Sequence, residues 1–198
     1  RYNGPGNGTD ISLRSCLVYG TDNNIYAAGT SFGTWPDIIL ISLTTAGAQR
    51  WVYRYNGPGN GYDRANSLVY GADGNLYIAG DSDGSGTGED FIVISLTTAG
   101  TENWVYRYNG PGNDYDMGYS IVYGPDANLY TAGTTTGSGT SYDFTVISLT
   151  TPASGLVEEI SQTKESPFSL ISKTFQNRNL TYTLFLDQPT IVSLTLYN

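Results

Sequence analysis

At 198 residues the chain has room for one or two domains. Nine basic side chains against 18 acidic ones leave a formal charge of −9, which argues against a nucleic-acid partner, because a phosphate-binding surface needs clustered Lys and Arg. With no histidine, Ser-His-Asp triads and most zinc sites are excluded; the lone Cys16 rules out a disulfide framework, and no apolar run approaches the ~20 residues of a membrane span.

The chain opens with Arg1-Tyr2-Asn3-Gly4-Pro5-Gly6-Asn7, which returns at residues 54–60 and again at 107–113. Asp10, Asp63 and Asp116 keep the same 53-residue spacing, as do Asp37, Asp90 and Asp143. A period of this size marks a repeat architecture in which each repeat is one supersecondary unit. The second repeat serves as the type. Residues 67–70 form a short β-prone run, and Ala72-Asp73-Gly74 supplies a hairpin turn. Residues 75–79 return, and a Gly/Ser-rich loop is expected from Asp81 to Gly88. Residues 90–96 are apolar on both faces, so this strand needs cover on both sides. Residues 104–108 alternate, as a half-exposed outer strand does. Four strands in ~50 residues suit a propeller blade better than a β-helix coil. Three blades are fewer than the four to eight of closed propellers. The expectation is therefore a piece of a larger propeller or a subunit of an oligomeric one.

Gly74-Asn75-Leu76-Tyr77-Ile78-Ala79-Gly80, the run 90–96, Gly100 and Trp104 resemble the seven-bladed β-propeller repeat of bacterial secreted and surface proteins. The resemblance covers residues 1–151. It departs at Ser42, Ser95 and Ser148, where the family often has Lys. It implies an all-β propeller fold and an extracellular or outer-membrane-associated setting, and it brings no catalytic residues.

Composition changes after Thr151: of 25 glycines only Gly155 lies beyond it. Residues 152–165 read as a linker or a degenerate outer strand, with Val157 at the position of Trp51 and Trp104. Residues 166–198 form a second unit, with strands expected at 180–186 and 190–197. This segment resembles the start of the immunoglobulin-like C-terminal modules of secreted bacterial proteins, including type IX secretion sorting domains and FlgD-like modules. A plain β hairpin is the alternative.

Two groups of residues could carry chemistry. Asp81, Asp83 and Asp90 surround a flexible Gly-rich segment in the manner of a calcium loop, although the equivalent loops lack the acidic pair and a solvated acidic loop explains them too. Tyr62, Asp63, Tyr115, Asp116 and Tyr119 form the polar-aromatic mixture that sugar sites use, although packing between blades explains aromatics as well. No cofactor is required by any motif; calcium is the one ion the acidic segment would suit. The repeated aspartates read first as turn caps.

The function expected is a non-enzymatic, secreted or cell-surface structural, adhesive or binding module. A glycan-binding propeller is the alternative, and a fragment of a propeller enzyme is the third reading. Expected partners are other copies or further parts of the same protein, and surface glycans or proteins.

Overall fold

The computed structural model describes residues 1–12, 16–151, 171–176, 179–185 and 191–197. Among them every regular element is a β-strand, and no helix is long and apolar enough to cross a membrane. The chain divides into two compact units, Arg1–Val157 and Glu158–Asn198.

The first unit holds three antiparallel sheets, the blades of a β-propeller array. The first contains β1 (Asp10–Ile11), β2 (Leu17–Tyr19), β3 (Asn24–Phe32), β4 (Pro36–Thr44) and β5 (Gln49–Tyr55). The second is the meander β6 (Asp63–Tyr70), β7 (Asn75–Asp83), β8 (Glu89–Thr97) and β9 (Glu102–Tyr108). The third contains β10 (Met117–Tyr123), β11 (Asn128–Thr136) and β12 (Tyr142–Thr150). The degenerate outer strand expected around Val157 lies outside the described residues. The second unit is described as a three-stranded antiparallel sheet of β13 (Ile171–Gln176), β14 (Asn179–Phe185) and β15 (Ile191–Tyr197), one strand more than the two read from sequence at 180–186 and 190–197.

The constant period conceals two opposite changes. Nine residue steps separate Asp10 from Tyr19, but seven separate Asp63 from Tyr70. The loop from Phe32 to Asp37 is shorter by the same amount than that from Asp83 to Asp90. The insertion falls between Asp10 and Tyr19, where the described residues of the first blade form β1 and β2, both paired to β3. The register nevertheless returns to the same place: Asp10 faces Ser31 as Asp63 faces Ser82.

Two apolar clusters join the blades. Tyr26, Ala28, Ile38 and Leu40 of the first blade pack on Leu68, Leu76, Ile78, Ile92 and Ile94 of the second. Tyr77, Ala79, Phe91 and Val93 of the second pack on Ile121, Leu129, Ile147 and Leu149 of the third. β8 is thus covered on both sides, which is why its residues need no polar face. Each blade offers a forward face built on Tyr26 or Tyr77 and receives it on a rear face built on Leu68 or Ile121. At the second junction Phe91 sits against Gly118 and Gly133; a Cβ on either glycine would stand 2.7 Å from its ring.

The recurring Asn-Gly-Pro-Gly-Asn peptide is a turn. Asn60 donates its N–H to the Gly57 carbonyl at 3.1 Å and takes φ 52°, a left-handed conformation that Asn tolerates better than most residues. Asp63 anchors the turn by accepting the Gly57 N–H at 2.8 Å, and Asp10 and Asp116 do the same for Gly4 and Gly110. The second set of repeated aspartates bonds differently. Arg54 reaches Asp37 at 2.6 Å and Ser31 Oγ at 2.7 Å; Arg107 reaches Asp90 at 2.8 Å and Ser82 Oγ at 2.6 Å. Arg54 and Arg107 therefore tie β5 and β9 each to its own blade, and Arg107 also donates to the Tyr55 hydroxyl of the first blade at 3.1 Å.

Candidate functional site

Four positions separate the second repeat from its neighbours, and the fold brings them together. Arg64 stands where the other repeats have Ile11 and Met117, Asp81 where they have Thr30 and Thr134, and Glu89 where they have Pro36 and Tyr142. Asn66 is the extra residue of a β-bulge in β6, the place of Tyr119 in β10. Arg64 and Asp81 are directly opposed across β6 and β7, so the guanidinium meets the carboxylate without leaving the sheet. Arg64 Nε donates to Asp81 at 2.7 Å, and Nη2 donates to Glu89. Asn66 Nδ2 donates to the other Asp81 oxygen at 2.9 Å and to the Gly118 carbonyl of the third blade, also at 2.9 Å. The bulge is what turns the Asn66 amide toward both.

Asp81 is 1% exposed and Glu89 is 8% exposed, whereas a third of the Arg64 side chain faces water. Burial pushes both carboxyls above their ordinary values, and the facing Arg64 charge offsets part of that rise. One cation thus answers two buried carboxylates.

Aromatic rings frame the exposed side of this cluster. Trp35, from the short loop between β3 and β4, lies 5.2 Å from Tyr62 between ring centres, with the planes tilted by 56°. Arg64 Cζ sits 6.0 Å from the Tyr62 ring centre. Tyr119 lies close enough to bear on the Arg64 charge. Trp35, Tyr62 and Tyr119 are 47%, 43% and 38% exposed, well above what packing between blades requires. Tyr62 enters from the 56–62 connection and Trp35 from the preceding blade, so the patch needs two blades to exist.

The sugar-site residues singled out from sequence divide cleanly. Tyr62 and Tyr119 reach the cluster and Tyr115 is exposed, whereas Asp63 and Asp116 are fully buried and hold turns. The three residues of the calcium-loop reading lie apart. β7 runs on through Asp83, so Asp81 and Asp83 lie on a strand and not in a loop. Asp90 is opposed to Ser82 across the ladder, and it bonds Arg107 while Asp81 bonds Arg64. Side chains alternate along a strand, so Asp81 and Asp90 project from opposite faces. Among the described residues no three acidic or cysteine side chains are grouped to hold a metal ion. Cys16 is buried, and burial raises its thiol to about 11, so it is a packing residue.

Arg64, Asn66 and Glu89 escaped the sequence reading, which followed what the repeats share. Comparing the repeats for what only one of them carries would have found all three.

No described protein family matches the chain, and no curated protein matches it. Among solved structures it is similar to a protein of unknown function from Dyadobacter fermentans DSM 18053 (TM-score 0.47, 11% identity, covering 92% of this chain and 51% of that one). It is also similar to the periplasmic gluconolactonase PpgL of Pseudomonas aeruginosa (TM-score 0.42, 10% identity, 92% and 72% covered). The chain spans about half the length of the first of these. Likenesses this distant carry no argument about activity.

Proposed function

We propose that the chain is a non-enzymatic binding module of a secreted or surface-exposed protein, and that it holds a hydroxylated ring, as in a glycan, at the Trp35–Tyr62–Arg64 patch. The observation that carries this reading is the exposed aromatic pair beside a guanidinium whose outer side faces water. Sugar rings stack their C–H faces on such aromatics, and a fixed guanidinium donates to hydroxyls. The carboxylates favour binding over catalysis. Asp81 is out of reach of solvent and both its oxygens are engaged, so it is held for the network and not offered to a substrate. The resemblance of the repeat to secreted bacterial propellers supports the setting. A glycan array with the intact chain, followed by calorimetry on the best binder, tests the proposal. Trp35→Ala and Tyr62→Ala are each expected to weaken binding by about tenfold or more. Absence of binding to any glycan, or binding that ignores both changes, overturns it.

A further inference from the structure

The second blade carries more acid on one sheet face than its own cation answers. Cross-strand partners share a face of the sheet, and so do residues two apart on one strand. Arg64 is opposed to Asp81, and Glu89 is opposed to Asp83. β6, β7 and β8 therefore bring one guanidinium and three carboxyls to the same face, at the end of the blade where Tyr62 enters. Arg64 is shared between Asp81 and Glu89, and Asp83 is left over: it is half-buried, and no ion pair among the described residues includes it. Glu89 feels the excess. Beyond burial, the charges of Asp81, Asp83 and Asp63 all push its carboxyl up, against the pull of Arg64.

Asp83 is also fixed beside the aromatic pair. Its N–H donates to the Tyr62 carbonyl at 2.8 Å, and its carbonyl accepts the Gly59 N–H at 3.0 Å. Its carboxylate lies on the 57–61 turn: a Cβ on Gly59 would stand 2.7 Å from Oδ2, and one on Gly61 only 2.0 Å. The two glycines make room for a carboxylate next to Tyr62. The other repeats have Phe32 and Thr136 at this position, so the charge occurs only at the junction that carries the Trp35–Tyr62 pair.

We propose that the ring held at the Trp35–Tyr62–Arg64 patch bears an ammonium group, as an amino sugar with a free amine does, and that Asp83 is the residue that selects it. This rests on the ligand reading and adds its charge. An anionic ring would find Arg64 already claimed by two carboxylates, with a third beside it. A neutral ring gains the stacking alone. A ring with an ammonium group gains in addition the Asp83 charge and the negative faces of two exposed aromatics.

Calorimetry on the full chain at about pH 6, where the amine is protonated, tests this with tetrasaccharides of glucosamine, N-acetylglucosamine, glucose and glucuronate. The glucosamine form is expected to bind about tenfold tighter than the acetylated and glucose forms, with the glucuronate form weakest. Added salt should narrow the gap. Asp83→Asn should bring the glucosamine form down to the level of the glucose form and leave the glucose form unchanged, which also shows that the variant is folded. Tetralysine, a polycation without a ring, controls for the −9 charge of the whole chain. Trp35→Ala should weaken the glucosamine form and leave tetralysine alone. Equal binding of charged and uncharged rings, a preference that survives Asp83→Asn, an Asp83→Asn variant that loses both forms alike, tighter binding of the glucuronate form, or tetralysine binding as tight as the glucosamine form would overturn the inference and leave ring binding standing. Failure of every tetrasaccharide to bind would overturn the ligand reading and this inference with it.

Discussion

Phe91 and Phe144 stand 53 residues apart at the same point of consecutive blades, one fully buried and the other 80% exposed. Their strands share the register to the hairpin partner: Phe91 faces Asp81 and Phe144 faces Thr134. Local sequence therefore makes the same strand twice, and the neighbouring blade decides what that strand is worth. The second blade lies between two others and contributes most of the buried apolar side chains. It alone can hold a buried ion network, because only there is Asp81 shielded on both sides.

Truncating the two phenylalanines separates these roles most sharply. Phe91→Ala empties a site lined by Gly118 and Gly133 and is expected to lower unfolding stability by about 3–5 kcal/mol. Phe144→Ala, measured by denaturant titration at concentrations where the chain is monomeric, should change it by less than about 0.5 kcal/mol. Equal losses at the two positions would show that the third blade's forward face is covered within a single chain.

A second test asks whether the ion network exists for stability. Arg64→Met places the third blade's residue in the second blade and leaves Asp81 and Glu89 buried without their cation. Removing one partner of a buried pair is expensive, and with Arg64 a third exposed the loss should be about 2 kcal/mol. Arg64→Met combined with Asp81→Thr and Glu89→Tyr imports the whole third-blade set and should recover most of that loss in the same titration. Recovery would mean that the charges are kept for something other than folding, which is what a binding site requires. A combined variant no better than Arg64→Met alone would make the network structural.

The strand order was legible because hydrophobic alternation, an Asp-Gly turn and a fixed period all point the same way. Residues 75–79, 90–96 and 104–108 were each found as strands, and each lies inside β7, β8 or β9. Less legible was where β7 stops. Asp81-Ser82-Asp83 has the composition of a loop, yet cross-strand partners at Arg64 and Asp63 hold it in the ladder. The two-residue insertion of the first blade was hidden because a shorter loop cancels it. The site was only half legible. Tyr62 and Tyr119 stood out as aromatics near loop ends, but Arg64 became meaningful only once Asp81 and Glu89 were seen to share it.

The smallest expected effect is on pH dependence, and its sign follows from burial. Asp63, Asp81, Glu89 and Asp116 all have carboxyls raised above their ordinary values, with burial the leading cause in each. The folded chain then binds protons at a higher pH than the unfolded chain does. Its stability rises as pH falls through the folded values, and it declines again toward neutrality. Asp10, Asp22 and Asp126 have carboxyls lowered by their hydrogen bonds, but those groups weaken the fold only below the ordinary carboxylate range. Easing the repulsion of a −9 chain acts in the same direction as the raised group. Thermal melting is therefore expected to be higher at about pH 5 than at pH 7, at roughly 2–4 °C for each kcal/mol gained. The variant carrying all three third-blade residues should show a shallower rise, because Asp81 and Glu89 are gone while Asp63 and Asp116 remain. A melting temperature that falls steadily from pH 7 to pH 5 would mean that the raised carboxyls are outweighed, and that the second blade's interior is wetter than its geometry indicates.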